Sequence, residues 1–520
     1  MEPPAAPPSS ADGPRRIAGG AIVALGGSGL SFVLTTGYQI LVARQLGTVG
    51  FGVFVLTLAV STFLAEACDL GLDYGVLRYG AIARGAGDPG RLRGVVRRGL
   101  LGAFAAGTTA AVLLAAAAPL VAELFDEPTM VPVLLPLACA IPFTGTAEVA
   151  RASLRAMGRA VPSVASDSVV TPVVRLASGL IALQIAADPR HVAIGYAVTE
   201  LVAFLFTVGM LLRLLPRAGR PVQPRGLFRY SLPMSLNRVL LYTNNQTEIF
   251  VLGLLQPAGP VGVFGVARRL STLLGSLLAS IAVLFNPMVA DLHHRGQHEE
   301  LDRLFKTATR WLFTIAFPLC LVEFAFARAL LHLFGPGFGS GAAALAILAL
   351  GQLVNLGTGT VAGLLAMIGR ARLSVLNSLF FLGLSLLLDF LLIPHWEVLG
   401  AAIANASALA AVNLLRLVQV RRDLGIVPYD RRFLRPLAAG LAAVAVAWLL
   451  PLSALGALPR LGLRVLVLGG LYLALLVLFG IEPDDREVAR ALRERLRRRP
   501  GARPPVVSEP AWVSEGAERS

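Results

Sequence analysis

The chain alternates apolar runs of about twenty residues, the length that crosses a bilayer as a helix, with short breaks of Gly, Pro and Arg. Such runs fall near residues 17–43, 50–68, 99–122, 129–150, 161–187 and 191–212. A second set follows near 227–254, 261–288, 311–334, 341–367, 373–393 and 398–418, with two more near 434–452 and 461–480. The pattern predicts an all-α polytopic membrane protein of about 14 transmembrane helices, ordered as six, six and two.

The two sets of six read as copies. Ile40 to Phe54 and Phe250 to Phe264 end in the same Gly-Val-Phe at an offset of 210, and Ser61-Thr62 and Leu64 return as Ser271-Thr272 and Leu274. Gly158-Arg159-Ala160 with Ser163-Val164 returns as Gly369-Arg370-Ala371 with Ser374-Val375 at offset 211. Internal duplication of a membrane bundle is the mark of transporters whose site lies between the two copies. The predicted organisation is a cytoplasmic tail (1–16), a six-helix bundle (17–215), a cytoplasmic linker (216–226) and a second six-helix bundle (227–420). A cytoplasmic loop (421–433), two additional spans (434–480) and a basic cytoplasmic tail (481–520) complete it. The first apolar run lacks a small-residue cleavage site, so it is expected to remain in the mature protein.

Charge gives an independent test of the span count. Of the 46 Lys and Arg, five fall on the outer side of this topology (Arg44, Arg190, Arg328, Arg460, Arg464) and four inside spans, and the other 37 fall on the cytoplasmic side. That alternation fits the positive-inside rule with both termini cytoplasmic, in the inner (plasma) membrane. The tail from Arg486 to Arg499 spaces Val488, Leu492 and Leu496 four apart among arginines, as either an inner-leaflet helix or a solvated topology anchor. A composition of 56% hydrophobic and 15% charged residues with mean hydropathy +0.71 agrees with a membrane protein. The net charge of +15 is scattered in short clusters, so no nucleic-acid partner is expected.

Several chemistries are excluded or disfavoured. A phosphate-binding ATPase loop needs a lysine after glycine, and the only lysine, Lys306, follows Phe305. Coupling must therefore come from an ion gradient, the substrate gradient or a partner. No His-Glu-x-x-His or Gly-x-Ser-x-Gly is present, and no loop is long enough for a catalytic domain, so the chain reads as a non-enzyme without a cofactor. Cys68, Cys139 and Cys320 sit in or beside apolar runs with no metal spacing, and His293, His294 and His298 read as a solvated loop; no metal site is assigned.

Ionisable residues inside spans are costly and mark candidate pathways. Asn237, Arg238, Asn244, Asn245 and Glu248 fall within roughly one third of the circumference of one helix. Arg268 and Arg269 begin a second polar stripe in the next span, and Arg175 lies three residues after Pro172. These eight residues are the candidate substrate site; the alternative is that they pair as inter-helix glue, Glu248 with Arg268 for instance. In the sister copy Arg238 is matched by Ser28, Arg268 by Leu58, Arg269 by Ala59 and Arg175 by Leu386, so the arginines are additions to a shared scaffold. Arginine suits a phosphate-bearing ligand, because its planar fork donates two parallel hydrogen bonds and stays charged when desolvated. Asp167, Glu200, Glu248, Glu323 and Asp389 are candidate proton or sodium sites.

LVARQLGTVGFGVF, followed by Asp69-Leu70-Gly71-Leu72 and Arg78, resembles the first two helices of bacterial polysaccharide transporters. These form the O-antigen flippase branch of the multidrug/oligosaccharidyl-lipid/polysaccharide exporter superfamily. The run from Glu248 through GLLQPAGPVGVFGVARRLSTL, with Asn286-Pro287, resembles the same family's central signature. The resemblance implies two six-helix lobes around a cavity open alternately to either side. It further implies movement of an undecaprenyl-pyrophosphate-linked oligosaccharide to the outer leaflet for lipopolysaccharide or other surface polysaccharide, with a polymerase and glycosyltransferases as partners. Members often carry Asp-Arg where this chain has Glu248-Ile249, so the acid is kept and the arginine lost. The competing readings are a cation-coupled multidrug exporter, which predicts an acidic, aromatic cavity, and a membrane-embedded glycan ligase or polymerase, which predicts a larger outward domain.

Overall fold

The computed structural model describes residues 12–216, 221–222, 226–451 and 456–479, with side chains described from 29 onward except at 237, 280, 283, 284, 371 and 431. Most of the tail 1–16 and the amphipathic segment 486–499 lie outside the described residues. Among the described residues the chain is helical, without a strand. The helices are α1 (Asp12–Cys68), α2 (Leu72–Gly85), α3 (Pro89–Leu124), α4 (Val131–Ala156), α5 (Ala160–Ala165), α6 (Thr171–Ile185), α7 (Pro189–Leu214) and α8 (Leu227–Leu255). They continue as α9 (Ala258–His294), α10 (His298–Ala325), α11 (Ala327–His332), α12 (Ala342–Gly357), α13 (Val361–Met367), α14 (Ala371–Leu424), α15 (Leu434–Leu449) and α16 (Ala457–Leu478).

Two of these are too long for one crossing. α1 has 57 residues and α14 has 54, about 80 Å each at 1.5 Å per residue, against a hydrocarbon core of roughly 30 Å. Each is broken by one non-helical residue, Gly47 (φ 68°) in α1 and Glu397 (φ 46°) in α14. Among the described residues ten helical stretches are long and apolar enough to cross a membrane. Dividing the two long ones, and adding the more polar α8 and the short apolar α15, is compatible with fourteen crossings.

Packing follows the order of the chain. α3, α4, α6 and α7 pack on one another and on α1, and α9, α10, α12, α13 and α14 do likewise in the second half. α15 and α16 pair and dock on α10. The two halves meet where α1 packs on α8 and α9, and α2 on α8. The Gly-Arg-Ala anchors adopt the same conformation in both copies: Gly158 (φ 74°) and Gly369 (φ 84°) each sit left-handed just before a helix starts. That conformation costs any residue with a Cβ, which accounts for glycine at both places.

Upstream of Arg175, just before Pro172, the helix runs through a π-helical turn, Ser166–Val170. Pro172 has no N–H to donate and its ring crowds the preceding turn, so the helix widens there. Thr171 Oγ1 donates to the Ser166 carbonyl at 2.9 Å, which also accepts the Thr171 backbone N–H.

Candidate functional site

The first polar group of α8 is an interlobe clamp. Arg238 Nε lies 2.8 Å from Glu66 at the end of α1, and Nη1 lies 2.6 Å from Asp69 in the turn that follows and 3.3 Å from Asp73 on α2. Asp69 and Asp73 are almost fully buried. Burial of two carboxylates is tolerable only because a guanidinium with five donors can serve several oxygens together. Around this contact a Cβ on Gly71 would fall on the Ser231 carbonyl, and one on Gly75 would strike the Ser231 hydroxyl. Arg78 lies over the Tyr230 ring at 4.4 Å. The Asp69-Leu70-Gly71-Leu72 and Arg78 motif thus holds α2 against α8, at the end of the molecule where the interlobe linker runs.

At the opposite end the Gly-Val-Phe repeats meet each other. A Cβ on Gly52 would fall on the Ala258 carbonyl oxygen, and a Cβ on Gly262 would fall on the Thr48 carbonyl oxygen. These contacts are exchanged by the repeat itself, since 48 and 52 plus 210 are 258 and 262. Only glycine lets two helices approach this closely. The repeat anchor is therefore also an interlobe contact.

Between the two contacts lies a cavity of about 340 Å³, lined by polar residues that include Gln39, Asn245, Gln246, Arg268, Arg269 and Thr272. Among the described residues no carboxylate lines it. Of the eight residues expected to bind substrate, Asn245, Arg268 and Arg269 reach this cavity. Asn244 is half-buried, with its Oδ1 unpartnered. The side chain of Asn237 lies outside the described residues. Arg175 and Arg238 do not line it.

Three of the four intramembrane arginines are matched by acids. Arg175 Nη2 bonds Glu200 at 2.5 Å, and Thr144 also donates to Glu200 at 3.3 Å. The Arg175 guanidinium lies over the Tyr196 ring at 4.6 Å. Arg268 forms an ion pair with Glu248. Among the described residues Arg269 has no ion pair with an acid, its Nε is buried without a partner, and it stands in the positive field of Arg175. The charge that the cavity presents is thus mainly that of Arg269.

Behind Arg268 is a second polar group. Glu248 is fully buried and also accepts from Asn405 Nδ2 at 2.6 Å and Ser385 Oγ at 3.3 Å. Asp389, fully buried, lies within the fields of Glu248 and Arg268, and neither of its oxygens has a partner. Two carboxyl groups thus stand near one arginine, and neither of them lines the cavity.

The other candidate ion sites are separate. Glu323 is buried on α10 with one oxygen unpartnered, and Asp167 is exposed on the π turn. Glu200 is committed to Arg175. Among the described residues no three His, Cys, Asp or Glu side chains gather as a metal-binding group.

Sequence reasoning missed Glu66 and Asp73 as partners of Arg238, and Ser385 and Asn405 as partners of Glu248. One signal was available for the ion pairs. Arg175 and Glu200 are matched in the sister copy by Leu386 and Ala411, and Arg268 and Glu248 by Leu58 and Tyr38. Acid and base are replaced together, as bonded partners would be.

A sequence profile for polysaccharide biosynthesis proteins matches residues 17–293, and the MatE profile matches residues 233–391. No curated protein matches the chain. Among solved structures, the lipid II flippase MurJ in an inward closed conformation aligns with TM-score 0.71 at 14% identity, over 88% of this chain and 98% of that one. An inward-facing multidrug resistance MATE transporter aligns with TM-score 0.66 at 16% identity, over 78% and 98%. A transporter from Pyrococcus furiosus, described as having a binding pocket of reverse polarity, aligns with TM-score 0.59 at 16% identity, over 78% and 95%. At such identities these structures establish the fold alone. With the first profile spanning more than half of its residues, the chain belongs to the polysaccharide biosynthesis protein family of the multidrug/oligosaccharidyl-lipid/polysaccharide exporter superfamily of membrane transporters.

Proposed function

We propose that the protein flips an undecaprenyl-pyrophosphate-linked oligosaccharide from the inner to the outer leaflet by alternating access, for synthesis of a cell-surface polysaccharide. The observation that carries this reading is the polarity of the cavity: Arg268 and Arg269 line it, Arg269 without an acidic partner, and no carboxylate does. A multidrug exporter for cations would present the reverse. A volume of about 340 Å³ is at the small end of ligand sites. It accommodates a pyrophosphate head and its first sugar, and a longer glycan requires the lobes to part.

The charge pattern orients the molecule with the linker and the Arg238 clamp on the cytoplasmic side, and the Gly52–Gly262 contact outside. In this orientation the lobes touch at both ends of this seam, and each half of the cycle opens one contact while keeping the other.

Coupling follows from Arg268 being shared. A proton or sodium ion entering the Glu248–Asp389 site weakens the hold of Glu248 on Arg268, and the guanidinium is then released to the cavity to bind phosphate. Cation and anion therefore bind with positive linkage, of the order of 1–3 kcal/mol for coupled sites. Asp389→Asn in reconstituted protein is expected to leave flipping measurable while an imposed proton or sodium gradient no longer changes its rate. A variant that still responds to both gradients would remove Asp389 from the mechanism.

The direct binding test is calorimetry with a short polyprenyl pyrophosphate. Arg269→Gln is expected to weaken binding by about tenfold to a hundredfold, since hydrogen bonds to charged groups contribute about 1.5–3 kcal/mol. Tight binding of a lipophilic cation in place of the pyrophosphate would favour the multidrug exporter instead.

A further inference from the structure

Five arginines lie at the outer end of the topology, and four of them converge. Arg44, Arg328, Arg460 and Arg464 line a single pocket of about 680 Å³, joined by His332. They come from three separated parts of the chain: the first limb of α1, helix α11, and the start of α16. Among the described residues no Asp or Glu lines the pocket, and it shares no lining residue with the central cavity.

Four guanidinium groups around one space repel one another, and repulsion is strong where apolar walls exclude water. Here Ala325, Phe326, Leu333 and Leu458 form much of those walls. Arg464 is half-buried with its guanidinium 5.9 Å from the Phe326 ring centroid, and its Nε is buried without a hydrogen-bond partner. Arg44 and Arg328 are exposed at the mouth. Placing cations on this side also runs against the charge distribution of the rest of the chain. An arrangement of this kind is relieved by a polyvalent anion, and planar guanidinium forks match the oxygens of a phosphate.

We propose that this pocket is a second phosphate-binding site, distinct from the central cavity and facing the outer membrane surface. Its apolar walls suit a phosphate borne on a lipid. α16 supplies two of its arginines, and only 11% of the residues in its most apolar window are buried, so the pocket borders the space that lipid fills. The site does not depend on which lipid the central cavity carries.

The test uses the full chain in detergent, titrated by calorimetry with dihexanoyl phosphatidate, dihexanoylglycerol and inorganic pyrophosphate. Arg460→Gln with Arg464→Gln is expected to weaken phosphatidate binding at least tenfold. Arg44→Gln with Arg328→Gln should weaken it severalfold; both side chains are exposed, so this pair tests the site without disturbing packing. Arg269→Gln, in the other cavity, should leave this binding event in place. Dihexanoylglycerol, which has no phosphate, should not bind. Displacement of phosphatidate by equimolar inorganic pyrophosphate assigns the site to phosphate itself, and retention of phosphatidate assigns it to a lipid-borne phosphate. Unchanged phosphatidate binding in both arginine pairs, or equal binding of dihexanoylglycerol, would overturn the proposal.

Discussion

Gly52→Val is expected to open the outer contact between the lobes and to abolish most transport. The new Cβ would collide with the Ala258 carbonyl oxygen, which is backbone and cannot rotate away, so the helices must separate. Overpacking of this kind costs about 1–3 kcal/mol, and each 1.4 kcal/mol shifts an equilibrium about tenfold. The outward-closed state should lose between one and two orders of magnitude in population. Gly262→Val should behave alike, because the repeat makes the two contacts equivalent. The measurement is a disulfide between cysteines placed at Val49 and Gly259, where a Cβ on Gly259 comes 3.6 Å from Val49, after Cys68, Cys139 and Cys320 are replaced. Rapid crosslinking in the parent and little in the Gly52→Val background is the expected pair of results. Equal crosslinking in both would show that the helices do not rely on this glycine.

Arg238→Gln is expected to release the linker end. Removing one partner from a buried ion pair leaves uncompensated charge and costs about 3–5 kcal/mol. The low end applies, since Arg238 is 22% exposed while Asp69 is 3% exposed. The cost falls on the closed state, because parting the lobes gives Asp69 and Asp73 to water. A shift of roughly a hundredfold toward the inward-open state follows from about 3 kcal/mol. A cysteine at Ser231, fully buried against Gly71 and Gly75 in the closed form, reports it through labelling by a polar maleimide. Labelling should accelerate strongly in Arg238→Gln and only slightly in Arg238→Lys. If the rate is unchanged, Arg238 is not what holds this end shut.

The crossings were legible because an apolar run of about twenty residues has few other fates. The breaks inside α1 and α14 also followed, since runs that end near residues 43 and 393 resume within a few positions. The cavity was only half legible. Helical periodicity places Arg238 and Glu248 on one helix face, but a face is shared among neighbours over its length. Its linker end meets α2, and its middle meets α9 and α14. Arg238 therefore serves the clamp while Asn245 serves the cavity.

Ser385 and Asn405 were invisible for a different reason. Each is a small polar residue on an apolar helix, and nothing local says that it faces Glu248 from 137 or 157 residues away. The mismatches between the copies were informative in a way that single arginines were not. Where acid and base are unmatched together, as with Arg175 and Glu200, they bond each other; Arg269 has no such companion and is the one left for a ligand.

The central claim is that a cationic cavity between the lobes carries a lipid-linked pyrophosphate glycan. The direct measurement places a fluorescent undecaprenyl-pyrophosphate oligosaccharide in vesicles containing the purified protein and follows exposure of its glycan to an added glycosidase. The account predicts exposure much faster than in protein-free vesicles and slowed at least tenfold by Arg269→Gln. Exposure no faster than in protein-free vesicles, with protein shown to be folded and inserted, would contradict it.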